Sequence, residues 1–217
     1  EINQCDAAFV CVPTPQNSDG SADLSAIHDV FSWLRVPVAI IRSTMPPGMT
    51  GRLRGWPYII FVPEFIGEGV NAPYAAMRQP PFLIIGADEE DERQAAGQVL
   101  SHLYNSECEF IYTDATTAET IKYAENAFLA MKVTFFNEWY DICQKLGADW
   151  GQFVSGLTHD YRIGRSHTHV YEDARGFAGR CLPKDINAIL ALLGEENAPL
   201  LTAVRKINEQ HRSRNNA

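Results

Sequence analysis

Several things are scarce in this 217-residue sequence, and each scarcity removes a class of function. No apolar run approaches the roughly 20 residues needed to span a bilayer, and no signal-peptide pattern opens the chain. Basic charge is in deficit: 18 Lys and Arg stand against 27 Asp and Glu, for a net charge of -9. A nucleic acid or an anionic membrane as main partner needs a basic surface. Only the tail from Arg205 to Arg214 is locally basic, and it reads as a solvated helix end. The five cysteines (Cys5, Cys11, Cys108, Cys143, Cys181) are odd in number and irregularly spaced, with no Cys-x-x-Cys pair. That excludes a disulfide framework and a zinc ribbon and points to a reduced, cytosolic setting. His167 and His169 bracket one residue, but no thiol or acid accompanies them at ligand spacing, so no metal is expected. Internal repeats and low-complexity segments are also lacking.

A phosphate-cradling glycine loop is missing as well. Gly67, Gly69 and Ala72 spell a loose Gly-x-Gly-x-x-Ala. Pro63 and three further residues separate it from the preceding apolar run, Pro73 interrupts the helix that should follow, and no strand ending in an acid lies about twenty residues on.

What is present reads as two parts. Residues 1–112 carry short apolar runs at Ala7 to Val12, Val36 to Ile41, Tyr58 to Val62, Phe82 to Ile85 and Glu109 to Tyr112, each ended by Pro, Gly or a polar residue. Continuous apolar runs of this length predict buried strands. Helical periods intervene at Asp23 to Leu34, where Ser21 or Asp23 can cap, and at Glu89 to Tyr104, with a short helix at Met49 to Arg54. A strand, a helix and a strand in succession predict a parallel pair, so this part is expected to be α/β with a largely parallel, partial Rossmann-like sheet.

Residues 113–217 read as all-α. A long spine helix carries one apolar stripe at Ile121, Ala124, Phe128, Met131, Phe135, Trp139, Ile142 and Leu146, and a second at Leu129, Val133, Phe136 and Tyr140. Two stripes predict two packing partners, one of them a second copy of the chain. Lys122 and Asn126 stand one turn apart on this helix, and Asn137 lies on the same side three turns on. Helices are further expected at Asp149 to Leu157, Ile186 to Leu193 and Pro199 to Gln210.

The stretch GFAGRCLPKD, Gly176 to Asp185, places Cys181 after small residues and just before a helix start. A helix N-terminus and the nearby Lys184 both favour the thiolate, the nucleophilic form. A free Cys is more often a small buried hydrophobe, so the thiol alone decides nothing.

The motifs decide more in combination. VPTP (12 to 15), ST-x-PPG (43 to 48), PEF-x-x-EG (63 to 69), AE-x-x-KYAEN (118 to 126), NE (137 and 138), D-x-RIG (160 to 164) and GFAGRCLPKD resemble, in order and spacing, the nucleotide-sugar 6-dehydrogenases of the UDP-glucose/GDP-mannose dehydrogenase family. The run TAETIKYAENAFLAMKVTFFNE is most similar to the UDP-glucose branch. The resemblance implies NAD-dependent oxidation of a UDP-sugar primary alcohol to a carboxylate, in a homodimer built on the long helix. It implies Cys181 as the nucleophile that forms a thiohemiacetal and then a thioester. Lys122 and Asn126 would stabilise the oxyanion, and Asp185 would position water. Glu64 or Glu68 would be a second proton-transfer carboxylate, with Thr44 also in the catalytic set. Thr14, Thr44, Glu68 and Lys184 would lie along the cofactor. Glu64, Phe65, Glu68, Lys122, Asn126, Tyr171, Gly176, Phe177 and Gly179 would line the sugar nucleotide.

The family pattern opens with a strand and a Gly-x-Gly-x-x-Gly turn and continues into a second α/β domain. The present sequence is expected to start after the first and stop before the second, leaving a sheet edge exposed. Ala178 stands where the family pattern has glycine. Two other readings compete: a catalytically incomplete relative that dimerises or binds ligand, and a thiol enzyme independent of NAD. The second lacks a His placed by sequence as its base.

Overall fold

The computed structural model describes residues 1–53, 58–65 and 80–216. The Gly67 to Ala72 pattern, Glu68 and the Arg54 end of the expected short helix lie outside them. The chain divides into two units, Glu1–Ala124 and Glu125–Ala217.

The first unit is built on a five-stranded sheet in the order β1 (Ala7–Val10), β2 (Val38–Ile41), β3 (Tyr58–Phe61), β4 (Phe82–Gly86), β5 (Glu109–Thr113). All five expected strands are present. β1, β2 and β3 run parallel, with Ala7 opposite Val38 and Val38 opposite Tyr58, and β4 and β5 run parallel with Phe82 opposite Glu109. Between the two sets the direction reverses, β3 meeting β4 antiparallel at Phe61 and Gly86. An apolar run carries no information about strand direction, so that reversal is not written in the sequence.

Alternation along β2 explains the layering. Ala39 and Ile41 pack with Val10, Ile59, Phe61 and Ile84 against Ile27 and Leu34, from α1 (Ser25–Trp33) and its C-terminal end. Val38 and Ile40 face the other way, packing with Ile60, Leu83 and Ile85 against Ala96 and Leu100 of α2 (Glu90–Ser101). Successive strand side chains point to opposite faces, and here both faces are covered, so the run is apolar throughout. Each such aliphatic side chain contributes about 1.5–3 kcal/mol when fully buried. Asp23 accepts from the Ser25 N–H at 2.8 Å, so the expected capping residue does satisfy a first-turn donor of α1 although Leu24 occupies the cap position. The expected helix after Met49 is only a single 3-10 turn, Thr50–Arg52.

The long helix α3 (Ala115–Leu146) begins in the first unit and continues into the second. Gly86 is required where it starts: a Cβ there would sit 2.6 Å from the Ala118 Cβ and 3.0 Å from the Ala115 Cα. The face of α3 that is buried is not the first apolar stripe, although Phe136 of the second is buried. Ala118, Lys122, Asn126, Ala130 and Asn137 are buried, whereas Phe128 and Phe135 are 55% and 43% exposed and Leu146 is 76% exposed. The alanines let neighbours approach the helix closely, and of the polar residues Asn126 and Asn137 are held by hydrogen bonds while Lys122 lies over an aromatic ring.

In the second unit, α4 (Trp150–Leu157) lays Trp150 and Phe153 on α3: Phe153 stacks on Trp139 at 5.3 Å, and Trp150 meets Tyr140 edge-on at 5.3 Å. Asp149 caps α4, accepting from Gln152 N at 2.7 Å. α5 (Leu182–Leu193) and α6 (Pro199–Ser213) close the unit around a core of Ala130, Phe177, Ile186, Leu190 and Val204. α5 starts four residues before the expected Ile186 because Pro183 sits in its first turn, where a missing N–H costs nothing. Among the described residues no helix is long and apolar enough to cross a membrane.

Candidate active site

The C-terminal ends of the parallel strands of the first unit gather its predicted site residues. Beyond β1, Thr14 is buried and its hydroxyl donates to the Thr44 carbonyl at 2.8 Å, tying the VPTP loop to the ST-x-PPG loop beyond β2. Ser43 adds a second tie, donating to the Val12 carbonyl at 2.6 Å. Beyond β3, the Glu64 carboxylate is ion-paired with Arg42 and accepts from the Phe65 N–H at 3.3 Å. Phe65 packs on Phe82 at 5.5 Å, and the buried Lys122 ammonium lies 4.8 Å from the Phe65 ring centre. The structure thus brings together Thr14 with Thr44, and Phe65 with Lys122.

Glu119 had no role in the sequence reading beyond membership of a motif, and it is the side chain that holds the end of the ST-x-PPG loop. It is fully buried and accepts from Gly48 N (2.5 Å), Thr50 N (2.7 Å) and Thr50 Oγ1 (2.6 Å), one turn before Lys122 on α3. Burial pushes its carboxyl above the ordinary range, partly offset by the bonds from Thr50 and Gly48. A folded-state pKa above the unfolded one means that the native state holds the proton more tightly. The associated stability is therefore complete below the unfolded pKa and is lost as pH rises through the folded one. Glu119→Gln should flatten the loss of stability on going from acid upward through that window, read as Tm against pH. An unchanged slope would show that this carboxyl does not titrate there.

In the second unit, Cys181 occupies the N-cap of α5, and its carbonyl accepts the first helical bond, from Asp185 N at 3.0 Å. Asp185 is 2% exposed, with Lys184 on Oδ1 and Asn126 Nδ2 on Oδ2 at 2.5 Å. Lys184, expected along a cofactor, is thus committed to its neighbour's carboxylate. The loop leading to Cys181 carries left-handed backbone at Gly176 (φ 78°) and Gly179 (φ 84°), where glycine is favoured. Phe177, expected on the sugar nucleotide, has its ring in the core with Ala130 and Ile186. Tyr171 is 60% exposed and meets His169 edge-on at 4.3 Å. His167 neighbours Lys132 and Glu125 rather than a ligand set; burial, then the Lys132 charge, lowers its pKa. Among the described residues no three His, Cys, Asp or Glu side chains converge to hold a metal ion.

A cleft of about 490 Å³ in this unit, lined by Trp150, Val154, Thr158, Arg165, Thr168 and His169, holds none of the predicted residues. Its two threonine hydroxyls donate to backbone carbonyls, Thr158 to Val154 and Thr168 to Arg165.

Two family descriptions together match most of this chain. Residues 1–107 match the UDP-glucose/GDP-mannose dehydrogenase family, NAD binding domain, and residues 116–210 match its central domain. UDP-glucose 6-dehydrogenase YwqF of Bacillus subtilis is 36% identical over 230 residues, covering 98% of this chain and 50% of that protein. The UDP-glucose 6-dehydrogenase of Rickettsia bellii is 30% identical over 227 residues, covering 98% and 51%. The solved UDP-glucose dehydrogenase of the archaeon Pyrobaculum islandicum superposes with a TM-score of 0.81 at 29% identity, covering 96% of this chain and 51% of that one. The chain spans about half the length of the curated relatives it matches. On the mixed, mostly parallel sheet, the long helix and these two matches, the chain belongs to the UDP-glucose/GDP-mannose dehydrogenase family.

Proposed function

We propose that this chain is the NAD-binding and central part of a nucleotide-sugar 6-dehydrogenase that oxidises a UDP-sugar, UDP-glucose in the first place, to its uronate. The observation that carries the reading is Cys181 at the head of α5, one turn before a buried Asp185 held by Lys184 and Asn126. The loops beyond β1 and β2 fit NAD: they are tied to each other by the Thr14 and Ser43 hydroxyls, they carry no acid from Cys11 to Pro15 or from Ser43 to Pro47, and Arg42 neutralises Glu64 beyond β3. Open α/β sheets bind dinucleotides at this edge. Thr14 and Thr44 would hold the cofactor there. NAD, when bound, supplies the hydride acceptor for both oxidations.

The chain's own residues do the rest. The Cys181 thiolate adds to the aldehyde carbon; a C–S bond forms and the carbonyl pair moves onto oxygen. Lys122 and Asn126 are the donors that stabilise that oxyanion. At the thioester stage water adds to the same carbon, the C–S bond breaks and the thiolate leaves. Asp185 retains unused lone pairs on both oxygens to orient that water. Asp185 and Asn126 act as one unit through their shared hydrogen bond.

The reading includes a homodimer on α3. Its support is the exposed stripe of Phe128, Phe135 and Leu146, which a second copy of the same helix would cover. The test is NAD reduction by the full-length protein with UDP-glucose, on material whose mass is measured by light scattering. NADH formation in two-to-one ratio to uronate, from a species of twice the chain mass, is the expected result. Absence of NADH would overturn the activity, and an active monomer would overturn the dimer alone.

A further inference from the structure

The backbone just before the nucleophile loop is hydrogen-bonded almost wholly by asparagine side chains. Asn215 accepts from Arg175 N at 2.8 Å and donates to Arg175 O at 3.1 Å. Asn137, on α3, accepts from Gly176 N at 3.0 Å through the same oxygen that takes Arg175 Nε at 2.8 Å. Asn208, on α6, accepts from Phe177 N at 2.7 Å and donates to Phe177 O at 3.1 Å. Three successive N–H groups are therefore satisfied by three carboxamides from three separate places in the chain. Each of Asn208 and Asn215 offers one residue both an acceptor and a donor, as a neighbouring strand would.

The clamp is itself held. The Arg175 guanidinium also donates to the Asn137 carbonyl at 2.7 Å, pairs with Asp141 at 2.8 Å and lies 4.8 Å from the Tyr140 ring centre. Arg214, next to Asn215, pairs with Asp141 at 2.7 Å. Burial pushes the Asp141 carboxyl up, and the Arg175 and Arg214 guanidiniums outweigh it, leaving it below the ordinary carboxylate range. Asn208 and Asn137 are 8% and 1% exposed, so an unpaired carboxamide at either place would be costly. The fit also dictates Gly176: a Cβ there would fall 2.4 Å from the Asn208 Oδ1.

Between this clamp, ending at Phe177, and the first residue of the α5 cap, Cys181, only Ala178, Gly179 and Arg180 intervene. All three are exposed, and the stretch is short, so the clamp sets where the segment leading to the thiol begins. We infer that Asn208, with Asn137 and Asn215, is a positioning residue for Cys181: the three amides fix the upstream end of the nucleophile loop and so hold the thiol at the α5 N-terminus. This rests on the reading of Cys181 as the nucleophile. Asn208 touches no reacting atom; it acts through the backbone of Phe177.

The experiment uses the chain as it stands and needs neither NAD nor turnover. Iodoacetamide alkylation of Cys181 is followed by peptide mass spectrometry, which separates it from the exposed Cys5 and Cys11, across a pH series. Asn208→Asp keeps the acceptor for Phe177 N and removes the donor to Phe177 O. Loss of one such hydrogen bond corresponds to about a fivefold change. The expected result is alkylation at neutral pH slower by about that factor, with its pH midpoint moved upward as the thiol leaves the helix N-terminus, and with helical circular dichroism unchanged. Asn215→Ala, at a half-buried position near the chain end, should give a smaller shift in the same direction and serves as the reading variant should Asn208→Asp not fold. A folded variant whose Cys181 alkylates at the original rate and midpoint overturns the inference while leaving the nucleophile in place. A Cys181 that is inert in the unaltered chain overturns the nucleophile reading, and this inference with it.

Discussion

Cys181→Ser in the full-length protein is expected to lower uronate formation by at least about a thousandfold, with sugar-nucleotide binding held within a few fold. The side chains are nearly isosteric, so the α5 cap should survive. What changes is the nucleophile: a serine hydroxyl has no comparable ionised fraction near neutral pH, and no histidine lies in the stretch from Gly176 to Asp185 to take its proton. In the proposed mechanism the thiolate acts on the bound aldehyde and not in ground-state binding, so the loss should fall on kcat rather than on the dissociation constant measured by calorimetry. Uronate produced at the original rate would remove Cys181 from the mechanism.

Asp185→Ala should produce the largest loss of stability. The carboxylate is buried, and each oxygen has a partner, Lys184 on one and Asn126 on the other. Removing it leaves an ammonium only 16% exposed and a buried carboxamide without their acceptor. Breaking a buried pair from one side costs about 3–5 kcal/mol, and the partial exposure of Lys184 places the expectation toward the lower end. Asp185→Asn, which retains one acceptor oxygen, should cost less. Urea unfolding of the chain gives both values directly. A loss below about 1 kcal/mol for the alanine variant would show that water or a shifted Lys184 replaces the carboxylate without difficulty.

Both variants probe residues that the GFAGRCLPKD motif names in the sequence. The strands of the first unit could be read from apolar runs because both faces of the sheet are covered, as the split of β2 between two cores shows. The site residues came from motifs: Thr14 and Thr44 do meet, Phe65 and Lys122 do meet, and Asn126 reaches Asp185. The first stripe on α3 is more exposed than its period suggests, at Phe128, Phe135 and Leu146, whereas Phe136 of the second is buried and Val133 packs on the core of the second unit. Apolar periodicity groups residues by face and does not say how deeply each is buried. The buried positions also include Ala118, Lys122, Asn126, Ala130 and Asn137, and periodicity gives alanines and polar residues little weight. Glu119 and Asn208 went unassigned for a related reason. Each satisfies backbone groups far away in sequence, Gly48 and Thr50 for one and Phe177 for the other, and a single polar residue in a helix carries no mark of a distant carbonyl or amide. Phe177 was assigned to the ligand on motif position, whereas packing claims its ring.

The carboxamides that grip residues 175 to 177 also bear on how this segment can change over generations. Positions 137, 208 and 215 each complete a bond that the others presuppose, and Gly176 leaves room for one of them. Substitutions at such positions combine non-additively: once one amide is gone, the next removal costs less, and restoring one alone regains little. The segment should therefore tolerate change only as a block. Substitution between the grip and Cys181 should be more readily absorbed at Ala178, whose side chain is exposed, than anywhere within the grip itself.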